Sequence, residues 1–196
     1  MRLDVVISGI GGQGVLTFAR TLARAALREG YDAHFLVQAG LAQLGSSVLA
    51  HVRIGLPAGS SPTVPLGQAS VGVTLERLEG LRLTPYLSPE ATVLGADAAV
   101  RPYEARFRRG LYPSRDEVEA SLGGSGVLWV PAQELARRHG PASLANAVML
   151  GAFSGISTVV ERDGLVTELR AGLPHLADAE AEAFFEGYGF VTGRYE

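Results

Sequence analysis

The stretch Leu3-Asp4-Val5-Val6-Ile7-Ser8-Gly9-Ile10-Gly11-Gly12-Gln13-Gly14-Val15 decides the fold. Residues 3–8 are a short, mostly apolar run closed by glycines, which suits a strand buried on both faces. Beyond the glycines, Val15, Phe18, Ala19, Leu22, Ala23 and Ala26 recur at helical spacing, Arg20, Arg24 and Arg28 line another face, and Gly30 stops the helix. Gly9, Gly11 and Gly14 have the spacing G-x-G-x-x-G at this strand-to-helix junction, the context that motif requires. Glycines let the backbone turn sharply and approach a pyrophosphate, whose charge rests on free N–H groups and the positive end of the helix dipole. Gly9, Gly11, Gly12, Gln13 and Gly14 are therefore candidate cofactor-binding residues. Gln13 suits either contact with a ligand or capping of the helix.

The rest of the chain continues the alternation. Residues 35–37 read as a second strand. In the next, Val48, Ala50, Val52 and Ile54 alternate with Leu49, His51 and Arg53, predicting one solvated or partner-facing side. Residues 55–68, rich in glycine, proline and serine, predict a surface loop. Residues 71–75 resume a buried strand, 76–86 read as a helix and 91–94 as a further strand, a β-α-β order that implies a parallel sheet. Residues 97–112 are charged and receive no assignment. Ser114 with Glu117 forms a capping-box signature for a helix to about Leu122; 127–130 is a strand, and Pro131 opens a helix ending near Gly140. Residues 141–157 predict a buried helix and 177–187 a final amphipathic one. The expected fold is α/β, a Rossmann-like three-layer arrangement with a mostly parallel sheet and helices on both faces, in a single domain spanning 1–196.

Composition narrows the function. Hydrophobic residues at 47% and charged ones at 19% permit a sizeable core. A net charge of −3 gives no basic field, so nucleic acid is not an expected partner. With no cysteine the chain cannot hold an iron–sulfur cluster, and His34, His51, His139 and His175 lack zinc spacing. The longest apolar stretch, 145–160, is too short for a membrane span, and an opening without signal-peptide features makes a cytoplasmic location the expectation. An NAD-dependent dehydrogenase is one reading of the glycine spacing. That reading calls for an acidic ribose reader at the end of the second strand, where this chain has Gln38 and no Asp or Glu from 33 to 75.

Gly9-Ile10-Gly11-Gly12-Gln13-Gly14-Val15-Leu16 resembles the opening of the γ domain of pyruvate and other 2-oxoacid:ferredoxin oxidoreductases, including the small subunit of the indolepyruvate enzymes. The resemblance continues through Gln43, Gly45, Ser47-Val48, His51-Val52-Arg53-Ile54, Glu76, Glu79, Ala145-Asn146 and Met149-Leu150-Gly151, and so covers most of the chain. It implies an accessory, non-catalytic subunit inactive in isolation, with thiamine diphosphate and iron–sulfur clusters on a larger catalytic partner and electrons passing to ferredoxin. It also implies coenzyme A as the ligand of this domain, with Gln43 and Gly45 joining the glycine loop. Asn146 is the only asparagine, so a thiamine Mg²⁺ site with paired asparagines is not available. Where relatives read Gln-Arg-Gly-Gly the chain has Gln43-Leu44-Gly45-Ser46, and Ser70 replaces an aspartate near the next strand. These departures motivate a second reading, a divergent stand-alone nucleotide-binding module.

Other polar groups have bland readings beside functional ones. His51 and Arg53 fit a solvated strand face or contact with a ligand or partner subunit, the row of Arg20, Arg24 and Arg28 fits solvation or an acidic partner, and Arg106, Arg108 and Arg109 fit a solvated loop or contact with diphosphates or a catalytic subunit. Asn146, inside an apolar helix, is expected to hydrogen-bond a neighbouring loop backbone.

Overall fold

The computed structural model describes residues 1–40, 45–100, 112–122, 126–172 and 174–193. Gln43, Leu44, Arg106, Arg108 and Arg109 lie outside the described residues. The elements are β1 (Leu3–Ile10), α1 (Val15–Arg28), β2 (Ala33–Ala39), β3 (Ser47–Ile54), β4 (Ala69–Thr74), a 3₁₀ segment (Leu78–Leu83), β5 (Leu87–Ala96), α2 (Arg115–Ser121), β6 (Val127–Val130), α3 (Ala132–Arg137), α4 (Ala145–Ile156), α5 (Arg162–Gly172) and α6 (Ala177–Thr192). The strands form one sheet in the order β2-β3-β1-β4-β5-β6. The pairs β1–β4, β4–β5 and β5–β6 are parallel, whereas β3 runs antiparallel to both β1 and β2. The sheet is thus mostly parallel, as expected, with one reversed strand inserted beside the first.

The two faces are unequal. On one, Val5, Ile7, Val52, Val73 and Leu94 pack against Phe18 and Leu22 of α1, Leu150 and Phe153 of α4, Leu165 of α5 and Phe184 of α6. The other is thinner: Val6, Val93 and Trp129 meet Leu83 of the 3₁₀ segment, Val118 of α2 and Val64 of the 55–68 loop. The capping box of α2 is present, with Ser114 accepting from the Glu117 N–H and the Glu117 carboxylate accepting from the Ser114 N–H. Within 76–86 the chain forms a 3₁₀ segment over Leu78–Leu83 rather than an α-helix, with Glu76 and Glu79 held inward at 0% and 2% exposure. Helix α5 has no counterpart in the sequence reading. Its Glu168 receives Arg24 at 2.8 Å and also Arg28, so two members of the arginine row pair with an acid of the same chain.

The thin face corrects the expectation for His51 and Arg53, which are 0% and 7% exposed. Their alternation with apolar neighbours was legible; what covers them was not. The 55–68 loop folds over this side. Arg53 Nε donates to Asp4 Oδ1 on the neighbouring strand at 2.6 Å, and its Nη1 donates to the carbonyls of Ser61 and Thr63 at 3.0 and 3.3 Å. His51 Nδ1 accepts from the Val64 N–H at 3.4 Å, and its ring lies edge-on to Tyr86 at 5.0 Å. Burial holds its pKa below the usual histidine value.

At the end of β4, Glu76 accepts the N–H groups of Glu79 and Val100, both at 3.1 Å. Glu79 is held by the Ser47 hydroxyl at 2.9 Å and Arg82 Nε at 2.8 Å. Burial, reinforced by the neighbouring Glu79, pushes the Glu76 carboxyl up to about 7 despite those amides. Among the described residues no helix is long and apolar enough to cross a membrane.

Two outcomes follow from this buried polar layer. Arg53→Met leaves Asp4, 3% exposed, without its buried partner, and should cost about 3 kcal/mol or more in chemical denaturation. A folded pKa of about 7 for Glu76 against an ordinary 4.5 means that the folded state holds the proton more tightly. That contribution is complete below the unfolded value and is lost as pH rises through the folded one. Wild-type stability should therefore decline from about pH 4.5 to 7, by on the order of 3 kcal/mol, and Glu76→Gln should remove most of that slope in melts across the range.

Candidate functional site

Helix α1 begins at Gly14, which has φ +87° and no side-chain cap. A Cβ is strained in this left-handed region, which is why glycine stands there. The first bond into the helix runs from the Phe18 N–H to the Gly14 carbonyl at 2.8 Å, so the N–H groups of Val15, Leu16 and Thr17 have no intrahelical acceptor. The turn before them is tied down elsewhere. Gln13 Oε1 accepts the Ile10 N–H at 2.9 Å, closing the loop on itself. The Gly11 N–H donates to the Ser46 carbonyl at 2.8 Å and the Gly45 N–H to the Gly11 carbonyl at 3.3 Å. The structure thus brings Gly9, Gly11, Gly12, Gln13 and Gly14 together with Gly45, while Gln43 falls outside the described residues.

The turn lies at the point where the chain changes sides. From β1 it passes through α1 on the thick face, and from the adjacent β4 through the 3₁₀ segment on the thin one. The carboxyl ends of strands that diverge in this way leave a crevice. A cavity of about 460 Å³ opens there, bounded by Gly12, Gln13 and Gly14 on one side and by Leu75, Ala96 and Ala98 at the strand ends.

The opposite wall comes from α4 and α6. A Cβ built at Gly151 would lie 1.8 Å from the Phe184 carbonyl oxygen, and one at Gly187 would lie 1.9 Å from that of Val148. Only glycine permits so close an approach, and the contact sets Asn146 and Glu180, near the starts of these helices, into the same cavity. Asn146 packs against the turn: a Cβ at Gly14 would stand 3.1 Å from its Cγ. Its Oδ1 is buried without a hydrogen-bond partner among the described residues, so the expected bond to a loop backbone is not formed. Glu180 is 6% exposed, and its Oε2 also lacks a partner among those residues. Burial raises its pKa above the usual glutamate value.

Glu180 was missed in the sequence, although a signal was present. It stands three residues after Ala177 and four before Phe184, inside the apolar stripe of the last helix, where an acid has no reason to be if the stripe only packs. Chemically the site pairs donor amides with buried acceptor oxygens, the equipment of binding. Among the described residues no group of three or more His, Asp or Glu side chains is placed to hold a metal.

The family model for pyruvate ferredoxin/flavodoxin oxidoreductase matches residues 4–190. The chain is 30% identical over 193 residues to the indolepyruvate oxidoreductase subunit IorB of Methanothermobacter thermautotrophicus, covering 96% of this chain and 97% of that protein. In fold it is similar to the pyruvate oxidoreductase subunit PORC of Thermotoga maritima, with a TM-score of 0.73 at 22% identity and 95% of each chain covered. It also superposes, with a TM-score of 0.73 at 16% identity, on the 2-oxoglutarate:ferredoxin oxidoreductase of Magnetococcus marinus, spanning 98% of this chain but 31% of that one; that structure has coenzyme A bound. Matched by this model over nearly its whole length and by a relative of almost equal length, the chain belongs to the pyruvate ferredoxin/flavodoxin oxidoreductase family.

Proposed function

We propose that the protein is the accessory small subunit of a cytoplasmic 2-oxoacid:ferredoxin oxidoreductase acting on an aryl pyruvate of the indolepyruvate kind, and that its glycine turn binds the phosphates of coenzyme A. The observation that carries this reading is the uncapped start of α1 opening into a cavity at the β1–β4 crevice. The N–H groups of Val15, Leu16 and Thr17, with the helix dipole behind them, suit a phosphate. Gly9 and Gly11 shape the turn, Gln13 closes it, and the Gly45 amide fixes its outer edge. Bound there, coenzyme A would supply a thiol to accept an acyl group; the residues of this chain bind and orient it.

The other cofactors of such an enzyme do not fit this chain. It has no cysteine for a cluster and a single asparagine, Asn146, which stands in the cavity wall. Thiamine diphosphate and the clusters are therefore assigned to a larger partner subunit, from which electrons pass to ferredoxin. The length match to a separate small subunit supports this division.

The purified chain should be colourless and unable to turn over any 2-oxoacid, with activity appearing only on assembly with the thiamine-bearing subunit. Turnover by the isolated chain would contradict the assignment. Gly14→Ala places a Cβ at a left-handed position and against Asn146. It should weaken coenzyme A binding about tenfold in calorimetry, in line with the 1–2 kcal/mol cost of that conformation. Unchanged affinity would move the ligand away from the turn.

A further inference from the structure

The two edges of the sheet are finished differently. At one end β6 is four residues long, and its Trp129 donates to Glu119 of α2. At the other end β2 runs for seven residues, Ala33-His34-Phe35-Leu36-Val37-Gln38-Ala39, and among the described residues no strand pairs with its outer side. Proteins that stay monomeric protect such an edge with charged side chains, proline, a bulge or a covering segment. Here the strand has no charged residue and no proline, and its register with β3 is unbroken from Ala33 opposite Ile54 to Ala39 opposite Val48. Phe35 is 40% exposed on it, and a groove of about 400 Å³ past Gln38, Leu49 and Tyr86 leaves the thin side of the edge open.

The main chain fixes which groups are free. The Gly55 N–H donates to the Asp32 carbonyl at 2.8 Å and the Gly40 N–H to the Ser47 carbonyl at 3.3 Å, so the even-numbered positions bond to β3. Bonded and non-bonded positions alternate in an antiparallel ladder, and Ala33, Phe35, Val37 and Ala39 therefore turn N–H and C=O outward. A two-fold axis through Leu36 gives the antiparallel register that uses the whole strand. It sets Ala33 opposite Ala39, His34 opposite Gln38 and Phe35 opposite Val37 of the second copy. Small then meets small, polar meets polar, and an aromatic meets a β-branched side chain, a pairing that stabilises antiparallel sheets. All four outward positions exchange hydrogen bonds, and no charge is buried. Such self-complementarity is what an isologous contact between identical chains requires.

We propose that β2 is a self-association surface, through which two copies of this chain pair antiparallel about Leu36 and continue one six-stranded sheet into the other. Two short strands make a small interface beside the roughly 1,200 Å² of stable complexes, so the dimer should exchange with monomer in the micromolar range.

The chain has no cysteine, so single cysteines report the register directly. Leu36 meets its own counterpart in a non-bonded pair, where Cα atoms lie about 4.5 Å apart, a span that a disulfide bridges. Leu36→Cys should give a disulfide-linked dimer on mild oxidation. Gln38 lies on the same face but roughly 13 Å along the strands from its counterpart, and Gln38→Cys should stay unlinked. Sedimentation of the wild-type chain across the micromolar range should show monomer and dimer in exchange. Val37→Pro removes an outward donor without touching the bonds to β3. It should raise the dissociation constant about thirtyfold, the worth of two hydrogen bonds per dimer, with the far-UV dichroism unchanged. Phe35→Lys, which sets two ammonium groups near the axis, should act in the same direction. A wild-type chain that is monomeric throughout, a dimer that Val37→Pro leaves intact, or Leu36→Cys linking no faster than Gln38→Cys overturns the proposal. Protection of the β2 amides from hydrogen exchange only on addition of the larger subunit, with the chain alone monomeric, assigns the edge to that subunit and overturns it equally.

Discussion

An α-helix cannot satisfy its own first amides, and the organisation of this protein follows from where it leaves that deficit. The N–H groups that open α1 are uncapped, and they stand at the carboxyl end of β1, beside the strand whose connection departs on the other face. Gly14 fixes the direction in which they point, and Gln13 and Gly45 hold the preceding turn so that it cannot fold over them. Two helices distant in sequence then complete the wall, because Gly151 and Gly187 let α4 and α6 touch backbone to backbone. The result is a cavity bounded by the turn on one side and by Asn146 and Glu180 on the other.

The thin side of the sheet is built on a different principle. Few apolar residues cover it, and the 55–68 loop is secured by charge-assisted hydrogen bonds from Arg53, itself held by Asp4. Glu76 and Glu79 extend the same buried polar layer to the end of β4, close to the crevice. With the Glu76 carboxyl pushed up to about 7, that face responds to protonation near neutral pH.

Much of the architecture is legible in the amino-acid sequence. The run from Leu3 to Val15, the capping box at Ser114 and the apolar segment of α4 all carry periodic or local signals that identify their structure. The errors share a cause. His51 and Arg53 looked solvated because the loop that buries them has no period, and 76–86 looked helical because the hydrogen bonds that tighten it come from side chains folded inward. Helix α5 went unread although it supplies Glu168 to two arginines of α1. Its apolar positions are few, and its main partners lie in another element.

Residue type and spacing along the chain suffice for the class of fold and the position of the glycine turn, because both are written in local signals. Only the folded chain shows that β3 enters the sheet reversed, that an arginine and a histidine are interior, and that Glu180 and Asn146 line one cavity with the turn. Those outcomes depend on contacts between residues more than 100 positions apart in the case of the cavity. Local periodicity records which face of an element is covered, but it carries no information about which distant side chain will cover it.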